Sequence, residues 1–157
     1  MFIFDKNFSM SYIINEVEKF VYNLLSEELH VNYVYHNLSH TQRVVEKTIE
    51  ISEDSNIKGD DLENLTIAAW FHDVGFTVSD ENHEEESSKI ASEFLKSLNF
   101  SEDRIVAIGN LILATKMNSI PKNKLERVLR DADSAHLASN NFFDYTSLLR
   151  KEWELVL

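Results

Sequence analysis

Apolar residues recur every three or four positions along most of this chain, which is the spacing of one buried face on an α-helix. In the segment from Ser11 to about Leu29, for example, Ile13 and Val17 lie on one stripe, and Ser11 is a suitable N-cap. The same spacing continues through the chain and predicts seven helices, at about residues 11–29, 38–54, 61–73, 83–98, 102–116, 124–139 and from 142 to the end.

Glycine and proline are scarce, which supports a helical fold. The 157 residues include three Gly and one Pro, whereas average usage would give about eighteen or nineteen of the two together. A β-sandwich or barrel needs many glycine turns, and a nucleotide-binding loop needs clustered glycines. Gly59, Gly75 and Gly109 are too far apart for either. The sequence therefore predicts an all-α helical bundle, and its length suits one domain over residues 1–157.

The charge balance restricts the partners of the protein. The chain has 15 Lys and Arg against 27 Asp and Glu, a formal net charge of −12. Phosphate contacts along a nucleic acid need clustered cations, so we expect no nucleic-acid partner and instead a small molecule. The oligomeric state is left open.

Cysteine usage and hydropathy predict the location of the protein. The chain has no Cys, which fits a reducing compartment and leaves only nitrogen and oxygen as metal ligands. We expect no signal peptide, because Asp5 and Lys6 interrupt the first apolar stretch, and no membrane segment. These features predict a cytoplasmic protein.

The final residues, WELVL, are still apolar, which leaves open a natural fold that continues past Leu157.

Ionisable side chains interrupt several predicted apolar faces, where an unpaired charge is costly. His40 falls on the inward row of the second helix, and His72 falls on that of the third, with Asp73 beside it. Asp133 continues a row of leucines on the sixth helix, whereas Asp131 lies on a more exposed row. Each histidine alone is more often an ordinary core residue, and Asp73 alone could cap a turn. Together, however, the two imidazoles and two carboxylates form a set that suits a divalent cation.

His83 is a further candidate, on the inward side of the fourth helix. It precedes three acidic residues, Glu84 to Glu86, which the helix dipole favours in a first turn. His83 could therefore belong to the helix start, bind a second metal ion or contact a substrate, and the sequence leaves these roles open.

The order of these residues resembles the H…HD…D signature of the HD superfamily of metal-dependent phosphohydrolases. The resemblance covers roughly residues 30–155. The NHEEES segment and the blocks at 111–116 and 130–137 also resemble those of a bacterial subgroup of small HD proteins. Five blocks carry the resemblance to the superfamily in the order of the family: YHNLSH at 35–40, AAWFHDVGF at 68–76, ENHEEESSKIA at 81–91, LILATK at 111–116 and RDADSAHL at 130–137. It implies a helical bundle of the HD type that holds a metal ion through His40, His72, Asp73 and Asp133.

The resemblance also implies catalytic roles. The YHN-x-x-H block is similar to that of cyclic-nucleotide phosphodiesterases, in which the residue matching His36 donates a proton to the leaving group. His36 could equally be a packing residue between two tyrosines. We expect Asp73 also to accept a hydrogen bond from the attacking water. Lys116 and Arg43 are candidate phosphate contacts, although ordinary surface charges would look the same.

Val74 and Gly75 follow the HD pair, where nucleotidase and alarmone-hydrolase branches of the family have a carboxylate nearby. This departure weakens the transfer of those substrates. His36 and His40 also have the HxxxH spacing of a zincin, but Asn37 stands where the catalytic Glu would be, which argues against a protease.

The sequence therefore predicts a hydrolase that cleaves a phosphoester of a nucleotide or related small molecule with metal-activated water. Ligands of nitrogen and oxygen suit Mn²⁺, Fe²⁺, Co²⁺, Ni²⁺, Zn²⁺ or, less well, Mg²⁺. One alternative is a regulatory HD module that binds a nucleotide signal with weak or no catalysis. Another is an oxidative HD enzyme with two irons.

Overall fold

The fold is a bundle of seven α-helices, seen in a computed structural model that describes residues 12–156. No β-strand occurs in this range, which confirms the all-α prediction. Ser11 as an N-cap, and the interpretation of the segment with Asp5 and Lys6, lie outside the described residues. The helices are α1 Tyr12–Glu28, α2 Leu38–Asp54, α3 Gly59–Phe71, α4 His83–Ser97, α5 Glu102–Leu113, α6 Lys124–Asp133 and α7 Phe142–Val156. Within residues 12–156, no helix is both long and apolar enough to cross a membrane.

Helix α3 is the centre of the bundle. Its side chains from Leu65 to Phe71 are buried on every face, because α1, α2, α5 and α6 pack around it. A helix that is apolar all round is expected at such a position. Residues at the C-terminal end of α3 therefore lie inside the protein and meet side chains from several other helices.

Local capping fixes where α2 begins. The side chain of Asn37 accepts hydrogen bonds from the backbone N–H groups of Ser39 at 3.1 Å and His40 at 3.3 Å. The Asn37 amide also donates to the carbonyl of Val34 at 3.0 Å, which ties the cap to the preceding loop. Because this cap fixes the start of α2, His40 lies on the buried face of the first turn.

The sixth predicted helix is shorter than its pattern indicated. Helix α6 ends at Asp133, and a 3-10 helix, Ala135–Ala138, takes the place of its last turn. The side chain of Leu137 is 62% exposed, so the prediction that the buried row continues through it is wrong. A 3-10 helix has fewer residues per turn than an α-helix and rotates later side chains off the buried row. Helix α5 likewise ends at Leu113, before the predicted Lys116.

Gly75 allows a close approach between two segments. It lies in a 3-10 helix, Val74–Thr77, and its N–H donates to Ser87 Oγ at 2.8 Å. A Cβ at this position would be 1.9 Å from the carbonyl oxygen of His83, so only glycine fits. This contact brings the first turn of α4 against the end of α3.

Candidate metal centre

Four polar side chains meet where α2, the end of α3 and the end of α6 converge. The Nε2 atoms of His40 and His72 are 3.3 Å apart. Asp133 Oδ1 lies 3.1 Å from His40 Nε2 and 3.5 Å from His72 Nε2. Asp73 Oδ2 lies 3.3 Å and 3.1 Å from the same two nitrogens. The residues predicted to bind a metal are therefore neighbours in the structure.

His72 is held in the tautomer that a metal ligand requires. Its ring is completely buried, and its Nδ1 lies 2.8 Å from the carbonyl oxygen of Ala69. A carbonyl oxygen accepts only, so Nδ1 carries the proton and donates it. In the neutral ring, the lone pair of Nε2 then faces His40 and the two carboxylates. A backbone partner of this kind commonly orients metal-bound histidines.

Asp73 contains a buried oxygen that needs a partner. Among the described residues, no hydrogen bond of acceptable geometry reaches its Oδ2, although two imidazole nitrogens lie within 3.3 Å. A buried carboxylate oxygen without a hydrogen bond is costly. A cation between the carboxylate and the imidazoles would satisfy it.

The separations between donor atoms fit a small divalent ion. Ligands about 2.1 Å from an ion are about 3.0 Å apart at octahedral right angles and about 3.4 Å apart in a tetrahedron. The separations between the donor atoms of His40, His72 and Asp133 run from 3.1 to 3.5 Å. These three residues form a group that could hold a metal ion. Asp73 contacts the same two imidazoles, so the donor set fits a bound cation.

Electrostatics at the centre favours positive charge. Burial by itself would lower the pKa of His40 and His72, but the carboxylates of Asp73 and Asp133 outweigh burial and raise both pKa values. Burial would likewise raise the pKa of each carboxyl group, and the two histidines reverse this effect and lower it. The cluster therefore holds its carboxylates ionised and attracts protons or a metal ion.

A cavity of about 250 Å³ opens beside the candidate centre. Its lining includes His36, Asp73, His83, Glu84, Arg130 and Asp133. The side chain of Asp133 is 29% exposed toward solvent, so it borders the cavity and is less buried than its helical row indicated. Asp131 is exposed, as predicted. A ligand in the cavity would reach both the predicted metal-binding carboxylates.

His36 reaches the cavity from the loop before α2 and is held there by Glu152 of α7. One Glu152 oxygen accepts the backbone N–H groups of Tyr35 at 2.7 Å and His36 at 2.9 Å, and the other contacts Nδ1 of the His36 ring. These hydrogen bonds outweigh burial, which alone would raise the pKa of Glu152, and they lower that pKa. Among residues 12–156, no hydrogen bond to the other ring nitrogen of His36, Nε2, is found.

His83 lies against the second oxygen of Asp73. Its Nε2 is 3.7 Å from Asp73 Oδ1 and 3.4 Å from a carboxylate oxygen of Glu84. Its ring stacks on Phe76, with the ring centroids 3.9 Å apart. His83 thus starts α4 and also lines the cavity, and its predicted role in metal or substrate binding stays a prediction.

The two predicted phosphate contacts lie outside this cavity. Lys116 pairs with Glu85, which raises the pKa of the lysine and lowers that of the glutamate. Arg43 lies over the ring of Tyr145, 4.4 Å from its centroid, and lines a separate cavity that also reaches His40 and Asp133.

Sequence reasoning missed three residues at the site. Glu84 was interpreted only as a dipole-favoured residue, although it is buried at the cavity, and Arg130 was not considered. Glu152 had a usable signal, because it interrupts the apolar stripe formed by Leu149, Trp153 and Val156 at helical spacing. The same criterion identified Asp133.

Comparison with known proteins agrees with this geometry. The family description HD domain matches residues 37–138, which is more than half of the chain. The chain therefore belongs to the HD domain family, the superfamily of metal-dependent phosphohydrolases. Searches of curated proteins and of solved structures find no match. HD domains bind divalent metal ions, and His40, His72 and Asp133 lie where they could hold one.

Proposed function

We propose that this protein is a metal-dependent phosphohydrolase that cleaves a phosphoester of a nucleotide or related small molecule. The observation that carries the proposal is the convergence of His40, His72, Asp73 and Asp133 beside an open cavity. Family membership supports the reaction class. A bound divalent cation would lower the pKa of a water molecule and neutralise charge on the phosphoryl oxygens.

The side chains around the cavity are placed to orient the attacking water and to protonate the leaving oxygen. Asp73 Oδ1 lies on the side of His83, where it can accept a hydrogen bond from the attacking water. His36 Nε2 can donate a proton to the leaving oxygen, because its Nδ1 is held by a carboxylate. Glu152 is a positioning residue, since it acts through His36.

The charge of the cavity explains why a cation is required. Asp73, Glu84 and Asp133 surround it, so a phosphate would be repelled unless a cation reverses the local sign. Arg130 is the cationic side chain among the lining residues, and its guanidinium is held by the carbonyl and hydroxyl of Ser119. We propose that Arg130 contacts the phosphoryl group, and that Arg43 and Lys116, which do not line this cavity, contact more distant parts of the substrate.

The test is phosphate release from a panel of mononucleotides, cyclic nucleotides and simple phosphoesters after loading with Mn²⁺, Co²⁺, Zn²⁺ or Mg²⁺. We expect turnover with at least one metal, and we expect Asp73→Asn to lower it by about 10²-fold or more. Asp131→Asn is the control, because it makes the same substitution at an exposed aspartate, two positions before Asp133 on the same helix. Tight nucleotide binding without turnover would favour a sensing module and contradict the proposal.

A further inference from the structure

A second cavity lies on the other side of His36 and is largely apolar. Its volume is about 430 Å³, which is within the range of small-molecule sites. It forms between α7, the loop before α2 and the segment that follows α3. Its apolar lining consists of Tyr33, Phe76, Met117, Leu149, Trp153 and Val156.

Aromatic rings form one wall of this cavity, which we call the aromatic cavity. Phe76 stacks on His83 at 3.9 Å between centroids, contacts the His36 ring at 4.7 Å and contacts the Tyr33 ring at 5.1 Å. Trp153, which also lines the cavity, is 51% exposed. A wall of aromatic rings suits a flat, apolar ligand, because an aromatic pair is more stable than the buried area alone accounts for.

The aromatic cavity adjoins the cavity at the candidate metal centre. His36, His83 and Met117 line both. A phosphoester whose phosphoryl group lies beside Asp73 would therefore place its organic part past His36. The bridging oxygen between the two parts would then lie next to the His36 ring.

Charged residues around the aromatic cavity define which organic part fits. Asp80, Glu81 and Glu152 are among its lining residues, and no Lys or Arg in residues 12–156 lines it. The acidic groups would repel a leaving group that carries further phosphates, since a cation at the candidate metal centre would lie on the other side of His36. They would accept an uncharged ring.

From these contacts we infer that the aromatic cavity binds the leaving group of the substrate and that this group is an uncharged aromatic or heteroaromatic alcohol. The inference rests on the proposed function. In the reaction, a water oxygen forms a bond to phosphorus and the bond from phosphorus to the leaving oxygen breaks. The electron pair of that bond goes to the leaving oxygen, which takes a proton from His36 Nε2. The water supplies the proton that restores His36, and the products are inorganic phosphate and the alcohol.

The first experiment compares kcat/KM for 1-naphthyl phosphate and n-propyl phosphate in each variant. Trp153→Ala should lower the value for the naphthyl ester about tenfold and leave that for the propyl ester unchanged. Phe143→Ala is the control, because Phe143 is 80% exposed on the same helix and does not line the aromatic cavity. An equal loss on both esters, or no loss on either, would overturn the inference.

A second variant covers the case in which Trp153→Ala fails to fold. Tyr33→Leu keeps an apolar side chain but removes one ring from a different segment of the wall, and it should show the same selective loss. Trp153→Phe should retain most of the wild-type selectivity. If Tyr33→Leu keeps the wild-type ratio of kcat/KM for the two esters, the inference is wrong.

Binding of the product, 1-naphthol, supplies a readout that does not depend on turnover. Isothermal titration should show binding to the wild type and to Phe143→Ala, and at least tenfold weaker binding to Trp153→Ala. No binding to the wild type would overturn the inference even if esters are hydrolysed. Binding at Trp153 without hydrolysis of any ester would instead contradict the proposed function, so the two failures are distinguishable.

Discussion

The Nε2 atoms of His40 and His72 face each other at 3.3 Å inside the protein. His72 has its ring proton on Nδ1, where it donates to Ala69, so the lone pair on Nε2 points at the other ring. Either His40 donates its Nε2–H to His72, or positive charge lies between these nitrogens and the carboxylates of Asp73 and Asp133. Protons can supply that charge, and so can the divalent cation that we propose.

Metal loading should stabilise the fold. An ion at 100 times its dissociation constant contributes about 2.7 kcal/mol, which raises the Tm of a chain of this size by roughly 5–10 °C. Differential scanning calorimetry of the chelated and Mn²⁺-loaded protein measures the shift. Asp133→Asn should abolish the shift, whereas Asp131→Asn should retain it. An unchanged Tm in the wild type would argue against the site.

Metal affinity should rise with pH. The carboxylates of Asp73 and Asp133 raise the pKa of both His40 and His72, so protons occupy these rings up to a higher pH than usual. An entering ion must displace those protons. Titrations with Mn²⁺ should therefore give a smaller Kd at pH 8 than at pH 6, with protons released on binding. A Kd that is independent of pH would show that the ion binds elsewhere.

His36→Gln should affect substrates according to their leaving groups. An alkoxide is a poor leaving group and needs a proton, so kcat for an alkyl phosphate should fall by about 10²–10⁴-fold. For 4-nitrophenyl phosphate the loss should be below about tenfold, because nitrophenolate leaves without protonation. Steady-state kinetics on both esters provides the measurement. Equal losses would assign His36 to binding and not to proton donation.

Glu152→Gln should lower the free energy of unfolding by an amount that depends on pH. The pKa of Glu152 is lowered on folding, so its ionised form contributes stability above its ordinary pKa and loses that contribution as the pH falls through the folded value. The variant should cost about 1–3 kcal/mol of unfolding free energy at pH 7. The difference from the wild type should shrink below about pH 4.

Urea denaturation at pH 7 and at about pH 3 measures this difference for Glu152→Gln. Glu154→Gln is a matched control, because Glu154 is exposed on the same helix. A constant difference at both pH values would show that the charge of Glu152 is not what stabilises the loop at Tyr35 and His36.

Gly75→Ala should disrupt the start of α4. The added Cβ would be 1.9 Å from His83 O, so the backbone of one segment must move, at a cost of about 3 kcal/mol or more. Gly109→Ala would meet only Ser88 Oγ, at 2.8 Å, which is the end of a side chain. Thermal unfolding should therefore show a much larger loss for Gly75→Ala. Similar losses for the two variants would contradict the close packing of α4.

Helical spacing was enough to predict the seven helices and the inward direction of His40 and His72. It works because these side chains interrupt rows that are otherwise apolar. It failed at Leu137, since nothing in the apolar row itself shows that Ser134 ends the helix and a 3-10 turn follows. The contact of Glu152 with His36 joins residues that are 116 positions apart, and only the packing of α7 brings them together.

The most direct test of the account is anomalous scattering from crystals of the protein loaded with Mn²⁺. We expect a peak within roughly 2.0–2.3 Å of His40 Nε2, His72 Nε2 and one oxygen each of Asp73 and Asp133. The peak should be missing in Asp133→Asn and present in Asp131→Asn. A loaded wild-type crystal with no peak among these four side chains would contradict the account.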